Sequence, residues 1–166
     1  MTNSPVNQTK ALFLDRDGTI NVEKHYVFKK EDFEFVPGIF NLIRKYSDAG
    51  FLIIITTNQS GIARGFYTEK DFENLTEWML GKFEEEGIKI TKVYYCPHHP
   101  AFTGDCNCRK PKPGMITTAL HEFNINPNLS ILIGDKKSDI LAGQNAGIRE
   151  NHYIHEFLNR QGTDKN

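Results

Sequence analysis

A chain of 166 residues, 39% apolar and 25% charged, has the size and composition of one globular domain. A net charge of −1 offers no electrostatic footprint to a nucleic-acid backbone, so no nucleic-acid partner is expected. No run approaches the ~20 apolar residues of a membrane span and polar residues 1–10 lack a signal peptide's apolar stretch, so the chain reads as cytoplasmic without a membrane partner, and a monomer is the expectation.

Residues 1–10 read as a loose arm and 161–166 as a frayed tail around a single domain. Between them, apolar runs alternate with helical patterns. Ala11-Leu12-Phe13-Leu14 is a continuous apolar run ending at Asp15, as in a strand buried on both faces of a parallel sheet. Pro37-Gly38 opens a helix carrying Ile39, Leu42, Ile43 and Tyr46, and Gly50 follows as its stop. Residues 51–55 read as a second strand, closing on Thr56-Thr57-Asn58. Thr68 caps a long helix with Phe72, Leu75, Met79 and Phe83 at helical spacing, which Gly87 ends. Residues 92–95 give a third strand, and Pro113 suits the first position of a helix carrying Ile116, Ala119, Leu120 and Phe123. Residues 129–133 give a fourth strand running into Gly134-Asp135, and a helix through Ile140, Leu141 and Asn145 stops at Gly147. Such alternation predicts the α/β class, a parallel sheet covered on both faces by helices. Asp15, Thr57 and Asp135 each follow the carboxyl end of a strand, the edge at which open α/β sheets bind ligands.

Asp15-Arg16-Asp17-Gly18-Thr19 is the densest chemical signal. A carboxylate at the end of a buried strand can attack phosphorus and form an aspartyl-phosphate. Asp17, two residues on, can protonate the leaving oxygen and then activate water. Gly18 permits a sharp turn, and Thr19 can hold Asp17 by a hydrogen bond. Alone, the pentapeptide is also a loop of solvated acids. A calcium loop is excluded, because the EF-hand pattern wants Gly sixth and Glu twelfth, where Ile20 and Tyr26 stand. Thr57-Asn58-Gln59-Ser60-Gly61 offers a hydroxyl and backbone N–H groups to phosphoryl oxygens, although the same letters make an ordinary turn. Lys110, in Arg109-Lys110-Pro111-Lys112-Pro113-Gly114, can set an ammonium against the charge of a transferring phosphoryl; by itself the hexapeptide is a basic loop. In Gly134-Asp135-Lys136-Lys137-Ser138-Asp139, Asp135 would join Asp15 and the backbone carbonyl of Asp17 around a small hard cation, magnesium rather than calcium. Asp139 would orient that shell or cap the next helix.

These four motifs, in this order over residues 10–147, resemble the haloacid dehalogenase (HAD) superfamily of phosphohydrolases. The resemblance implies a three-layer, Rossmann-like fold. It also implies roles: Asp15 as nucleophile, Asp17 as acid/base, Thr57 and Lys110 as phosphoryl stabilisers, and Asp15, Asp17 and Asp135 as the magnesium site.

Three cysteines crowd into Cys96-Pro97-His98-His99-Pro100 and Cys106-Asn107-Cys108. An odd, crowded set in a cytosolic chain reads as a metal site rather than a disulfide framework. Cys96, Cys106 and Cys108 with one imidazole, His98 or in its place His99, suit a closed, structural zinc. The plain alternative is three ordinary cysteines in a loop. This zinc loop, with Arg109-Lys110-Pro111 directly behind it, is similar to that of the D-glycero-D-manno-heptose 1,7-bisphosphate phosphatases. Their pattern also matches Asp15-Arg-Asp-Gly-Thr-Ile-Asn-Val22 and Thr57-Asn-Gln-Ser-Gly-Ile-Ala-Arg-Gly65. Histidinol-phosphate phosphatases share the zinc loop but carry Asp-Gly where Ser60-Gly61 stands.

The resemblance implies no large cap domain, with substrate enclosed by loops 23–30, 61–67 and 97–107 and contacted by Glu23, Tyr26, Asn58, Ser60, Arg109 and Lys136. It implies release of the 7-phosphate of a phosphorylated sugar in bacterial surface-heptose synthesis. A histidinol-phosphate or other small-molecule phosphatase is the neighbouring alternative, and an inactive zinc-bearing interaction module is the alternative of another class. The chain departs from the pattern twice. Its zinc loop is short between Pro100 and Cys106, and Arg149-Glu150-Asn151-His152-Tyr153 replaces the usual apolar last strand, which leaves the sheet's last edge open.

Overall fold

Continuous apolar runs become the middle of a sheet. In the computed structural model, which describes residues 6–161, β1 (Ala11–Leu14) lies between β2 (Leu52–Asn58) and β4 (Ile131–Gly134). The strand β3 (Lys92–Cys96) flanks β2, and β5 (Glu150–Tyr153) flanks β4, giving the order β3-β2-β1-β4-β5 with every pairing parallel. Alternation along β1 assigns its side chains to two cores. Leu12 and Leu14 face α1 (Ile39–Asp48), α2 (Glu69–Glu85) and α6 (Ile154–Gln161) through Leu42, Ile43, Leu75, Met79, Phe83 and Ile154. Ala11 and Phe13 face α4 (Gly114–Glu122) and α5 (Lys137–Asn145) through Ile116, Ala119 and Ala142. The sheet thus lies between two helical layers, as the alternating pattern predicts. No helix among the described residues is long and apolar enough to cross a membrane.

Local chemistry fixes the helix ends. Thr68 Oγ1 accepts from Asp71 N at 3.1 Å and Asp71 Oδ2 accepts from Thr68 N at 2.9 Å, which satisfies two orphan donors at the start of α2. Pro113 precedes α4 as its cap residue instead of occupying the first helical position.

The sheet's last edge, left open by the sequence, is a strand: β5 pairs in register with β4, Ile133 opposite His152, and two other expectations need correction. An edge strand has only one paired side and tolerates polar residues, so its sequence lacks the apolar run that marks a central strand. Residues 129–133 are not all strand, because Pro127–Leu129 forms a 3₁₀ turn before β4. The arm is not loose from Asn7 onward. Asn126 N donates to Thr9 O at 2.8 Å, Asn126 Nδ2 to Asn7 O at 2.9 Å and Leu52 N to Lys10 O at 2.9 Å. Residues 1–5, and 162–166 of the expected tail, lie outside the described residues.

Between β3 and α4 the chain forms only a short helix, α3 (Pro100–Thr103), and no separate cap domain arises among the described residues.

Candidate active site

The chain passes from β1 to β2 and β3 on one side of the sheet, then returns to β4 and β5 on the other. The crevice at that reversal is where such sheets bind ligands. Asp15 follows β1 and Asp135 follows β4, on either side of the reversal; Thr57, expected just past the end of its strand, lies within β2, which runs on to Asn58. A cavity of about 420 Å³ opens there, lined by Asp15, Asp17, Glu23, Tyr26, Asn58, Gln59, Ser60, Arg109, Lys110 and Lys136, with His25, Tyr67, Ser138 and Asp139. Thr57 and Asp135 are not among the lining residues.

Lys110 is the hub. Its ammonium donates to Asp15 Oδ1 at 2.8 Å, Asp139 Oδ1 at 2.5 Å and Thr56 O at 2.9 Å, so each of its three N–H groups is used. Lys110, Asp15 and Asp139 are all buried. Burial disfavours the ammonium, but Asp15 and Asp139 outweigh that cost and hold its pKa above the ordinary value. Burial pushes Asp15 up to about 7, with Lys110 opposing and the Asp139 carboxylate adding. Asn58 aims this lysine by clamping its backbone: Lys110 N donates to Asn58 Oδ1 at 3.0 Å and Asn58 Nδ2 donates to Lys110 O at 3.3 Å. Asp139 also caps α5, its Oδ2 accepting from Asp135 N at 3.0 Å and Lys136 N at 2.9 Å.

Asp17 is held by partners that sequence reasoning missed. Arg16, 1% exposed between two acids, donates Nη2 to both Asp17 oxygens at 3.0 Å and to Val27 O at 2.8 Å. Asn21 Nδ2 donates to Asp17 Oδ1 at 3.0 Å and Gln59 Nε2 to Asp17 Oδ2 at 3.0 Å. The expected Thr19–Asp17 bond does not form, and Thr19 Oγ1 is buried without a partner. The turn carries Thr19 inward, its N–H donating to Arg16 O at 3.2 Å. The one available signal was local: a basic residue between two acids, with an asparagine four positions after the second acid.

Carboxylates outnumber cations at this end of the sheet. Asp15 and Asp139 share Lys110, Arg16 takes Asp17, and Asp135 makes no ion pair among the described residues. Burial raises the Asp135 pKa, with Lys136 opposing and Asp139 and Glu23 adding. Gly18, at φ +87°, lies directly against the Asp135 carboxylate, where any β-carbon would overlap it. Asp15 and Asp135 follow the adjacent strands β1 and β4, and their hard oxygen donors have the chemistry that a small divalent cation takes. On the rim, Lys136 Nζ lies 3.8 Å from Glu23 Oε2, and His25 and Tyr26 both adopt positive φ, at 55° and 53°. Side chains seldom take that conformation, so the loop that presents Tyr26 is strained.

The sulfur cluster assembles as expected. Cys96, His98, Cys106 and Cys108 bring their ligand atoms within 4.8 Å of one another, and all three thiols are free. Cys96 Sγ lies 3.6 Å from His98 Nδ1, 3.6 Å from Cys106 Sγ and 2.9 Å from Cys108 Sγ, and His98 Nδ1 lies 3.3 Å from Cys108 Sγ. A tetrahedron with zinc–sulfur bonds of about 2.3 Å has edges of about 3.8 Å, so four such ligands suit zinc after slight expansion. Of the two candidate histidines, His98 is the ligand-facing one. His99 instead caps α3, its Nδ1 accepting from Ala101 N at 3.1 Å, while its Nε2 meets Arg64 at 3.1 Å. Burial works against the Cys106 thiolate, yet N–H groups of Arg109 and Cys108 draw its pKa down to about 7. Arg109 is tied to this loop, N to Cys106 Sγ at 3.4 Å and Nη1 to His98 O at 3.4 Å.

A HAD-hydrolase-like family model matches residues 107–151. The D-glycero-alpha-D-manno-heptose-1,7-bisphosphate 7-phosphatase of Campylobacter jejuni is 54% identical over 141 residues, covering 85% of this chain and 80% of that protein. The D-glycero-beta-D-manno-heptose-1,7-bisphosphate 7-phosphatase of Pasteurella multocida is 46% identical over 144 residues, covering 84% and 78%. Among solved structures, the D,D-heptose 1,7-bisphosphate phosphatase from B. bronchiseptica, complexed with magnesium and phosphate, superposes with a TM-score of 0.79 at 26% identity, covering 93% of this chain and 87% of that one. A HAD-like phosphatase from Mesorhizobium loti superposes with a TM-score of 0.80 at 37% identity, covering 84% and 69%.

Proposed function

This chain belongs to the D-glycero-D-manno-heptose-1,7-bisphosphate 7-phosphatase family of HAD-like hydrolases, and we propose that it hydrolyses the 7-phosphate ester of such a heptose bisphosphate through a phosphorylated Asp15. The observation that carries the reading is a buried strand-end carboxylate, Asp15, held by Lys110 at 2.8 Å and opening with Asp17 into one cavity. With Oδ1 held, the other Asp15 oxygen attacks phosphorus. The ester P–O bond breaks with its electron pair on the sugar oxygen, and Asp17 delivers a proton there. Water then attacks the aspartyl-phosphate while Asp17 takes up its proton, and phosphate leaves with Asp15 restored. The Lys110 charge lies beside Asp15, where the equatorial oxygens gather charge, and the Thr57 hydroxyl would turn to one of them when substrate binds. Asp15, the Asp17 carbonyl and Asp135 would hold magnesium, which when bound supplies charge neutralisation for the phosphoryl group. Zinc on Cys96, His98, Cys106 and Cys108 would be structural, fixing the loop that carries Arg109 and Lys110.

Arg109 and Lys136 line the same cavity as the nucleophile. A guanidinium binds phosphate bidentately, so Arg109 suits a second, non-reacting phosphate, and Glu23, Tyr26 and Ser60 remain for the sugar. A cationic monophosphate such as histidinol phosphate would be repelled by this pair. Phosphate release should therefore give a higher kcat/KM for the heptose 1,7-bisphosphate than for histidinol phosphate. Arg109→Ala should weaken bisphosphate turnover far more than turnover of an aryl phosphate. A preference for histidinol phosphate would overturn the substrate while leaving the chemistry in place.

A further inference from the structure

Gln59 is a buried polar side chain that the chemistry above leaves without a role. It is 2% exposed on the turn after β2, and its backbone N–H donates to Cys96 O at 2.8 Å. Its Nε2 donates to Asp17 Oδ2 at 3.0 Å and to Thr57 Oγ1 at 2.8 Å. One amide thus spans the Asp17 carboxylate and the Thr57 hydroxyl. Thr57 Oγ1 accepts from Gln59, and its own O–H points to Asn58 O at 3.5 Å, at the outer limit of a hydrogen bond, so it can be given up to a phosphoryl oxygen.

The amide's orientation is enforced from behind. Turned over, its oxygen would face Asp17 acceptor against acceptor whenever that carboxylate is ionised. As placed, its oxygen accepts from the Tyr67 hydroxyl, which supplies the donor this orientation requires. The Tyr67 ring is itself clamped. It stacks on Phe28, centroids 5.2 Å apart at 11°, and lies over Gly61, where any β-carbon would overlap it. Arg16 and Asn21 also hold Asp17, but neither touches Thr57.

We infer that Gln59, locked by Tyr67, is a positioning residue that sets Asp17 toward the leaving oxygen and Thr57 toward the phosphoryl group. The inference rests on the roles proposed above for those two residues.

Leaving-group dependence tests it. A sugar alkoxide needs a proton to depart, whereas 4-nitrophenolate departs without one. Tyr67→Phe keeps the stacked ring and removes only the hydroxyl; Gln59→Leu removes both amide donors. Each should lower kcat/KM for the heptose bisphosphate by roughly 10- to 100-fold, a part of the ~10²–10⁴ that a positioned acid contributes. For 4-nitrophenyl phosphate the loss should be several-fold smaller. Asp17→Asn is run beside them as the reference. No loss, or an equal loss on both substrates, in Tyr67→Phe and Gln59→Leu while Asp17→Asn stays selective would overturn the inference alone. An equal loss on both substrates in Asp17→Asn would refute the acid role itself and the inference with it.

Discussion

Lys110→Met keeps the aliphatic stem and removes the ammonium from the centre of the site. Three hydrogen bonds disappear at once, to Asp15, Asp139 and Thr56 O. The two carboxylates left behind are 8% and 3% exposed, so water cannot replace the lost partner. Breaking a buried pair by removing one side costs about 3–5 kcal/mol. At ~2–4 °C per kcal/mol for a domain of this size, Tm should fall by roughly 6–20 °C. The orphaned carboxyls would relieve the strain by taking up protons, so the gap from wild type should narrow as pH is lowered. Adding Asp139→Asn removes one of the two unpaired charges and should recover part of the loss. Thermal melts of the wild type, single and double variants, followed by circular dichroism at several pH values, supply the numbers. A single variant within about 2 °C of wild type at neutral pH would refute the buried hub, since surface substitutions have effects of that size.

Cys106→Ser should lower zinc content, measured by elemental analysis, and depress Tm and activity together, because structural zinc contributes roughly 10–16 kcal/mol of apparent binding energy in small peptides; full zinc with unchanged Tm would contradict the site. The raised pKa of Asp15 makes a signed prediction for chelator-treated protein. Folded Asp15 titrates near 7, above the ordinary 3.8, so its favourable contribution is fully present below the unfolded value and is lost as pH rises through about 7. Tm should therefore fall across that window relative to Asp15→Asn, and parallel profiles for the two proteins would rule the shift out.

What could be read from the sequence follows physical rules. β1 and β2 are legible because a central parallel strand is buried on both faces and must be apolar throughout. β5 is not, because an edge strand exposes one side and Glu150-Asn151-His152-Tyr153 carries no such run. Asp15 and Lys110 are legible from their motifs, but their 2.8 Å contact joins residues 95 positions apart, and only the sheet's reversal brings them together. Gln59 reaches Asp17 across 42 positions and resembles any turn residue in its own neighbourhood. Thr19 shows the opposite failure: its nearness to Asp17 in the chain suggests a bond that the inward turn prevents. The cysteine cluster lies between these extremes. Spacing alone admits either His98 or His99, and the choice is made by α3, which takes His99 as its cap.

The central claim is a covalent phosphate on Asp15. Acid quenching during turnover of a radiolabelled heptose 1,7-bisphosphate, followed by proteolysis and peptide mapping, measures it directly. Label is predicted on the peptide containing Asp15, removable by hydroxylamine as an acyl phosphate and absent from Asp15→Asn, which should also lack turnover. Sustained turnover by Asp15→Asn without deamidation, or label on a different peptide, would contradict the account.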